Sequence, residues 1–217
     1  MSMSRYFVVV AGNIGSGKTS LTRLMSDRLD WDAFYESVDD NPYLADFYSD
    51  MKTWSFHLQV FFLGHRAKTH RYLSTHHPTS SLLDRSIYED AEIFVRSLHM
   101  LGHLSERDVN AYRSVYDQIL SGLPAPNLLI YLRASVATLL ERIRKRARGI
   151  ETGITADYLS LLNSYYEQWM AEFDLCPVLT IPSDELDFVA YEQHLTIIAN
   201  RTLDRLKGKE EITFHSE

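Results

Sequence analysis

Cysteine is almost absent. Cys176 is the single one in 217 residues, which excludes an intrachain disulfide and a cysteine-built metal cage and suits a reducing, cytoplasmic setting. Its plain role is that of a small buried filler. Basic charge is also short: 22 Lys and Arg stand against 29 Asp and Glu, a net charge of −7. That balance argues against a nucleic-acid polymer as partner, because such binding draws on a surplus of cations, so any basic site must be local. No apolar run approaches the roughly 20 residues of a membrane span. Met1 to Arg5 is too short for a signal peptide ahead of the first strand, so a soluble protein with no membrane partner is expected. There is no internal repeat, low-complexity tract or Pro/Gly/Ser linker. The chain therefore reads as one α/β domain over residues 1–217, with a polar tail at about 207–217 and 45% hydrophobic content to fill a core.

What is present begins with Gly12-Asn13-Ile14-Gly15-Ser16-Gly17-Lys18-Thr19, a complete G-x-x-x-x-G-K-[ST] pattern directly after the apolar run Tyr6 to Ala11. A strand, a loop and a helix start follow one another. The glycines let successive N–H groups converge on a polyphosphate, Lys18 supplies a cation, and Thr19 offers a hydroxyl for magnesium. The helix from about Gly17 to Leu29 points the positive end of its dipole at the same place. The loop implies a nucleoside triphosphate and leaves the acceptor open.

The other strands follow from short apolar runs. Trp31 to Tyr35 leads to Glu36 at a carboxyl edge, where a carboxylate could orient an acceptor hydroxyl and take its proton; a solvated loop charge is the equal alternative. Thr79 to Leu83 leads to Asp84-Arg85-Ser86, with Asp84 suited to magnesium and Arg85 to the transferring phosphoryl group or the nucleophile. Asp90 falls where a helix from about Ala91 to Leu101 begins, and an N-cap competes there with a functional role. Asn127 to Leu132 and Val178 to Ile181 complete the strands, with helices at about 54–73, 105–120, 156–173 and 188–206. In the 105–120 helix, Tyr112, Val115, Tyr116 and Ile119 fall at core spacing.

Two stretches stay double-valued. Ser55, Gln59, Phe62 and Arg66 recur at spacings of four, three and four, so they share a helix face. The pattern alone favours an amphipathic helix with its polar members in water, and a nucleobase site is the sharper alternative. Arg142 to Arg148 holds five basic residues in seven positions, which is either a solvated face or a lid at about 142–154 closing over a triphosphate.

Taken together these motifs resemble the deoxyribonucleoside kinase family, which includes deoxycytidine, deoxyguanosine and deoxyadenosine kinases, over nearly the whole chain. The resemblance implies a three-layer P-loop kinase fold with a central parallel five-stranded sheet flanked by helices, a basic lid, ATP and magnesium as cofactors, and a homodimer formed through helices. It implies that Glu36 activates a sugar 5′-hydroxyl, assisted by Arg85, with Lys18 on the phosphates. Gln59 reads the base edge beside Phe62 and Phe94, while Tyr48 and Glu151 hold the 3′-hydroxyl. Arg142, Arg146 and Arg148 bind phosphate, and Thr19, Asp84 and Glu36 arrange the metal. Arg66 and Asp90 fall where family members that accept purines and deoxycytidine carry an Arg and an Asp and where thymidine-preferring members carry apolar residues. The chain departs from the family's frequent Glu-Pro and Glu-Arg-Ser with Glu36-Ser37 and Asp84-Arg85-Ser86. A thymidylate-type monophosphate kinase would need extra cations near Glu36, and a nucleotide switch that reads guanine would carry Asn-Lys-x-Asp; neither feature is found.

Overall fold

The computed structural model describes residues 5–35, 41–146 and 153–208. Strand β1 (Phe7–Gly12) is buried along its whole length, as an uninterrupted apolar run demands of a central strand covered on both faces. With β2 (Asp32–Phe34), β3 (Ser81–Asp84), β4 (Leu128–Arg133) and β5 (Val178–Pro182) it forms a five-stranded sheet of order β2-β3-β1-β4-β5. Every pairing is parallel, with Val10 beside Asp84 and Gly12 beside Leu132. The chain leaves β1 toward one side and later crosses to the other, so the strand order reverses at β1. The crevice at the carboxyl ends there is the expected ligand site.

Side-chain alternation sorts the two faces. Val8, Val10, Leu82, Ile130 and Leu132 pack against Leu21 and Met25 of α1 (Lys18–Leu29) and Ile198 of α9 (Glu192–Leu206). The opposite face carries Ala11, Leu129 and Tyr131. It meets α3 (Met51–Thr75), α6 (Glu106–Leu120) and α8 (Ala156–Glu172). The expected three-layer parallel fold is thus present.

Several local expectations need correction. A short α2 (Leu44–Ser49) precedes α3 and was not foreseen. The helix expected from about Ala91 starts instead with α4 (Ile87–Glu89), continues as a π-helical segment (Asp90–Val95) and ends as α5 (Arg96–Met100). Its start is fixed by a capping box: Glu89 N–H donates to Ser86 Oγ, and Ser86 N–H donates to Glu89 Oε2. Asp90 is therefore not the cap. Val115 is exposed while Tyr112 and Tyr116 are buried, because α6 turns only a narrow stripe inward. The last helix begins at Glu192, and Phe188 ahead of it is buried against the phosphate loop. Cys176 is half-buried, and burial pushes its thiol up to about 12, which leaves it an unreactive filler.

His70 on α3 is fully buried, with Nε2 2.8 Å from the Pro124 carbonyl oxygen and its ring edge-on to Phe7. Burial holds the imidazole below its ordinary 6.5. The unfolded chain therefore takes up the proton first, and the stability associated with neutral His70 is complete above 6.5 and lost as pH falls below it. The melting temperature should drop between about pH 7 and pH 5.5, a window in which ordinary carboxylates do not titrate. His70→Phe should flatten that drop in a calorimetric pH series.

Candidate active site

The phosphate loop leaves β1 at Gly12 and closes through Ser16 N–H donating to the Asn13 carbonyl at 3.1 Å. A Cβ at Gly12 (φ +149) would stand 2.8 Å from the Leu132 carbonyl oxygen, and one at Gly15 (φ +83) 3.0 Å from that of Leu139. Both obstacles are backbone, so neither position admits a side chain. Lys18 Nζ donates to the carbonyls of Gly12 (2.7 Å) and Asn13 (3.0 Å), curling over the loop. Helix α1 opens behind it without a side-chain cap, so its first-turn N–H groups belong to the loop.

The loop is braced from three directions. Asn13 Nδ2 donates to Leu159 O and Asn163 Oδ1 of α8, and its Oδ1 accepts from Ile14 N–H. Arg142, on α7 (Val136–Arg146), donates from Nη1 to Ser16 O at 2.9 Å and from Nη2 to Ser183 O at 2.7 Å. The Phe188 ring would lie 3.2 Å from a Cβ at Gly17.

At the end of β3, Thr19 Oγ1 donates to Asp84 Oδ2 at 2.6 Å. A hydroxyl and a carboxylate at the mouth of a phosphate loop are hard oxygen donors, which suits magnesium, an ion that keeps several waters and takes few protein ligands. Arg85 adopts φ 73, in the left-handed region that costs a side-chain-bearing residue about 1–2 kcal/mol. Its guanidinium carbon lies 4.6 Å over the Phe94 ring. Beside it Glu89, fully buried, accepts from Gly12 N–H (3.2 Å), the Tyr166 hydroxyl (2.6 Å), Ser86 N–H (2.7 Å) and Ser86 Oγ (3.0 Å).

The helix face that helical periodicity alone would put in water is interior. Ser55, Gln59 and Arg66 are buried, Phe62 is half-buried, and Arg66 makes an ion pair with Asp90 while stacking 4.6 Å over Phe62. Burial of a Gln and an Arg on one stripe is tolerable only because Asp90 arrives from the π-helical segment to meet the guanidinium. Gln59 Oε1 and Asp90 Oδ2 are buried with no hydrogen-bond partner among the described residues. Phe94 lies in the same π-helical segment as Asp90, so Arg85 and Arg66 flank one wall. Tyr48 is 42% exposed on α2. Tyr158 of α8 sits near both Tyr48 and Arg85: burial raises its phenol, opposed first by a hydrogen bond with Ser97, and the charges of Tyr48 and Arg85 add smaller effects upward and downward.

The stretch expected as a lid, 142–154, lies partly outside the described residues. Glu36, Arg148 and Glu151 lie outside the described residues, while the first part of the expected 142–154 flap is helix α7, with Arg146 exposed at its end. Sequence reasoning missed Glu89, Tyr166, Asn163 and Phe188 as neighbours of the loop. Only Glu89 carried a local signal, the Ser86-x-x-Glu89 box.

A family model for deoxynucleoside kinases matches residues 8–206. The chain belongs to that family. A deoxyguanosine kinase of Lactobacillus johnsonii is 37% identical over 209 residues, covering 92% of each chain. A deoxyadenosine/deoxycytidine kinase of Bacillus subtilis is 35% identical over 196 residues, covering 89% of this kinase and 90% of that one. Among solved structures, deoxyadenosine kinase from M. mycoides with bound dATP superposes with a TM-score of 0.79 at 29% identity, over 90% of this chain and 98% of that one. Among the described residues, no helix of this deoxynucleoside kinase is long and apolar enough to cross a membrane.

Proposed function

We propose that the chain transfers the γ-phosphoryl group of ATP to the 5′-hydroxyl of a deoxynucleoside and prefers purines. The observation that carries the purine preference is the buried trio of Gln59, Arg66 and Asp90 on the wall next to Arg85. One amide oxygen and one carboxylate oxygen without a hydrogen-bond partner among the described residues, together with a guanidinium, are a costly set to bury for stability alone. They complement a base edge that donates from amino or imino N–H groups and accepts at a ring nitrogen or carbonyl, while a thymine methyl would meet charge. The relatives named for deoxyguanosine and for deoxyadenosine/deoxycytidine support this choice.

In this reading Gly12 to Thr19 cradles the triphosphate and Lys18 neutralises its charge as the phosphoryl group moves. Glu36 accepts the proton of the 5′-hydroxyl while the new oxygen–phosphorus bond forms and the bond from the γ-phosphorus to ADP breaks. Arg85, over Phe94, steadies the hydroxyl or the phosphoryl oxygens; Phe62 and Phe94 flank the base, and Tyr48 with Glu151 holds the 3′-hydroxyl. Arg146 and Arg148 close from the lid, and Arg142, tied to Ser16 O, holds the loop from beneath. Thr19 and Asp84, together with Glu36, would hold magnesium, which would supply charge neutralisation of the phosphates. The whole chain serves as one kinase domain in nucleotide salvage in the cytoplasm, working as a homodimer and without nucleic acid or membrane.

The experiment is a panel of deoxynucleosides and their 5′-monophosphates with ATP and magnesium. Deoxyguanosine, deoxyadenosine or deoxycytidine should exceed thymidine in kcat/KM by about 100-fold or more, the order expected when buried polar groups go unpaired. Preference for thymidine, or phosphorylation of thymidine monophosphate alone, would contradict the proposal.

A further inference from the structure

We propose that Glu89 and Tyr166 form a positioning pair that fixes the phosphate loop and the Asp84-Arg85-Ser86 corner to each other, so that one buried carboxylate sets both halves of the reaction centre. The inference rests on the kinase reading above and adds two residues to it, neither of which touches substrate.

The capping box accounts for only half of Glu89. Its Oε2 accepts from Ser86 N–H and Oγ, which completes the cap. The same chain builds a second box at Ser105 and Asp108 with a shorter acid whose contacts are exposed, so capping alone needs neither the length of Glu nor its burial. The remaining oxygen, Oε1, leaves the helix and reaches Gly12 N–H and the Tyr166 hydroxyl, with Arg85 Nη1 3.8 Å away. The Tyr166 hydroxyl also lies 2.8 Å from Gly12 O, the carbonyl that receives Lys18 Nζ. Gly12 is thus held at its N–H by Glu89 and at its C=O by Lys18 Nζ where β1 becomes the loop, and the single Tyr166 proton is shared between Glu89 Oε1 and Gly12 O. On the other side, the left-handed Arg85 is pinned by its own N–H on Val10 O and by the next N–H, that of Ser86, on Glu89. Such a conformation persists only where its surroundings over-determine it.

Tyr166 suits this position. It is fully buried, stacks on Tyr131 at 5.7 Å, and burial with the neighbouring Glu89 raises its phenol well above the ordinary value, so it stays a donor. Every hydrogen-bonding partner of Glu89 found among the described residues is likewise a donor. Glu89→Gln keeps the shape yet turns an NH₂ against donors whichever way the amide lies, and Tyr166→Phe deletes only the hydroxyl.

The test compares wild type, Glu89→Gln, Tyr166→Phe and the double variant by steady-state kinetics with a deoxynucleoside and ATP. In parallel, amide hydrogen exchange is followed over residues 8–19 at a temperature where circular dichroism shows each protein folded. Glu89→Gln should lose about 10- to 100-fold in kcat, the scale of a misplaced reacting group, with KM for the deoxynucleoside moving less than about 3-fold. Tyr166→Phe should lose about 10-fold, and the double variant should fall little below Glu89→Gln, because both act on one loop. Loop amides should exchange faster in all three variants. Turnover within about 3-fold of wild type in both single variants, losses that multiply in the double, or unchanged loop exchange would each overturn the pairing. Faster loop exchange in the variants, alongside a wild type that phosphorylates no deoxynucleoside, would instead defeat the kinase reading and leave the pairing supported. If Glu89→Gln does not fold, Tyr166→Phe supplies both readouts.

Discussion

Glu36→Gln lowers kcat for deoxynucleoside phosphorylation by about 10²- to 10⁴-fold, the range for removing a positioned general base. The KM for the deoxynucleoside changes by less than about 3-fold, because the proton is taken only as the new bond forms. Strand β2 lies at one edge of the order β2-β3-β1-β4-β5 and runs parallel to β3 and β1, so its carboxyl end, Phe34, is at the same edge of the sheet as Gly12, where the phosphate loop begins; Glu36 follows it in sequence and lies outside the described residues. A carboxamide there could still accept a hydrogen bond through its oxygen, so binding persists, but it cannot accept the proton. Stopped-flow or quenched-flow measurement of the transfer step, beside calorimetric binding of the nucleoside, separates the two. Equal losses in binding and turnover would move Glu36 out of the role of base.

The second large effect concerns the Arg66–Asp90 pair. Asp90→Ala leaves a guanidinium nine-tenths buried without its carboxylate, and removing one member of a buried pair costs about 3–5 kcal/mol. At about 2–4 °C per kcal/mol for a chain of this size, the melting temperature should fall by roughly 6–20 °C. Purine turnover should fall with it if the base is held as proposed, because Asp90 Oδ2 is one of two buried oxygens left without a hydrogen-bond partner among the described residues. The double variant Arg66→Met/Asp90→Leu removes both charges and should recover most of the lost stability, because apolar replacement of a whole buried pair is often neutral. It should not recover purine turnover, and its relative activity should move toward thymidine. Melting curves and kcat/KM for four deoxynucleosides complete the cycle. A double variant that retains the purine preference would separate the pair from base selection.

Legibility in the sequence followed locality. The phosphate loop is eight consecutive residues whose glycines do a job that only backbone geometry defines, so the motif and its place after β1 were readable. The central strands β1 and β4 were readable for the same reason, as uninterrupted apolar runs with no polar alternation, whereas β2 and β5 at the sheet edges are only partly buried. The Gln59 and Arg66 face was not readable from its own helix. Its burial depends on Asp90, and helical periodicity carries no information about a partner on another element. Asp90 itself looked like a cap because it precedes an apolar run, whereas Ser86 and Glu89 cap the helix one turn earlier. The π-helical segment, which swings Asp90 and Phe94 onto one wall, has no sequence signature. Glu89 and Tyr166 lie 77 residues apart and meet at Gly12 only because α8 packs across the π-helical segment and the loop. Arg142 looked like a lid residue by its basic neighbours, yet its two hydrogen bonds are to main-chain carbonyls at the foot of the loop.

The account depends above all on the acceptor, an alcohol at the sugar 5′ position. The direct measurement is phosphorus NMR of the purified chain with ATP, magnesium and deoxyguanosine or deoxyadenosine, beside 2′,5′-dideoxyadenosine, which lacks that hydroxyl. Appearance of a nucleoside 5′-monophosphate signal in step with ADP, and none with the 5′-deoxy analogue, is the predicted result. ADP formed at the same rate without any nucleoside, or no monophosphate from any deoxynucleoside, would contradict it.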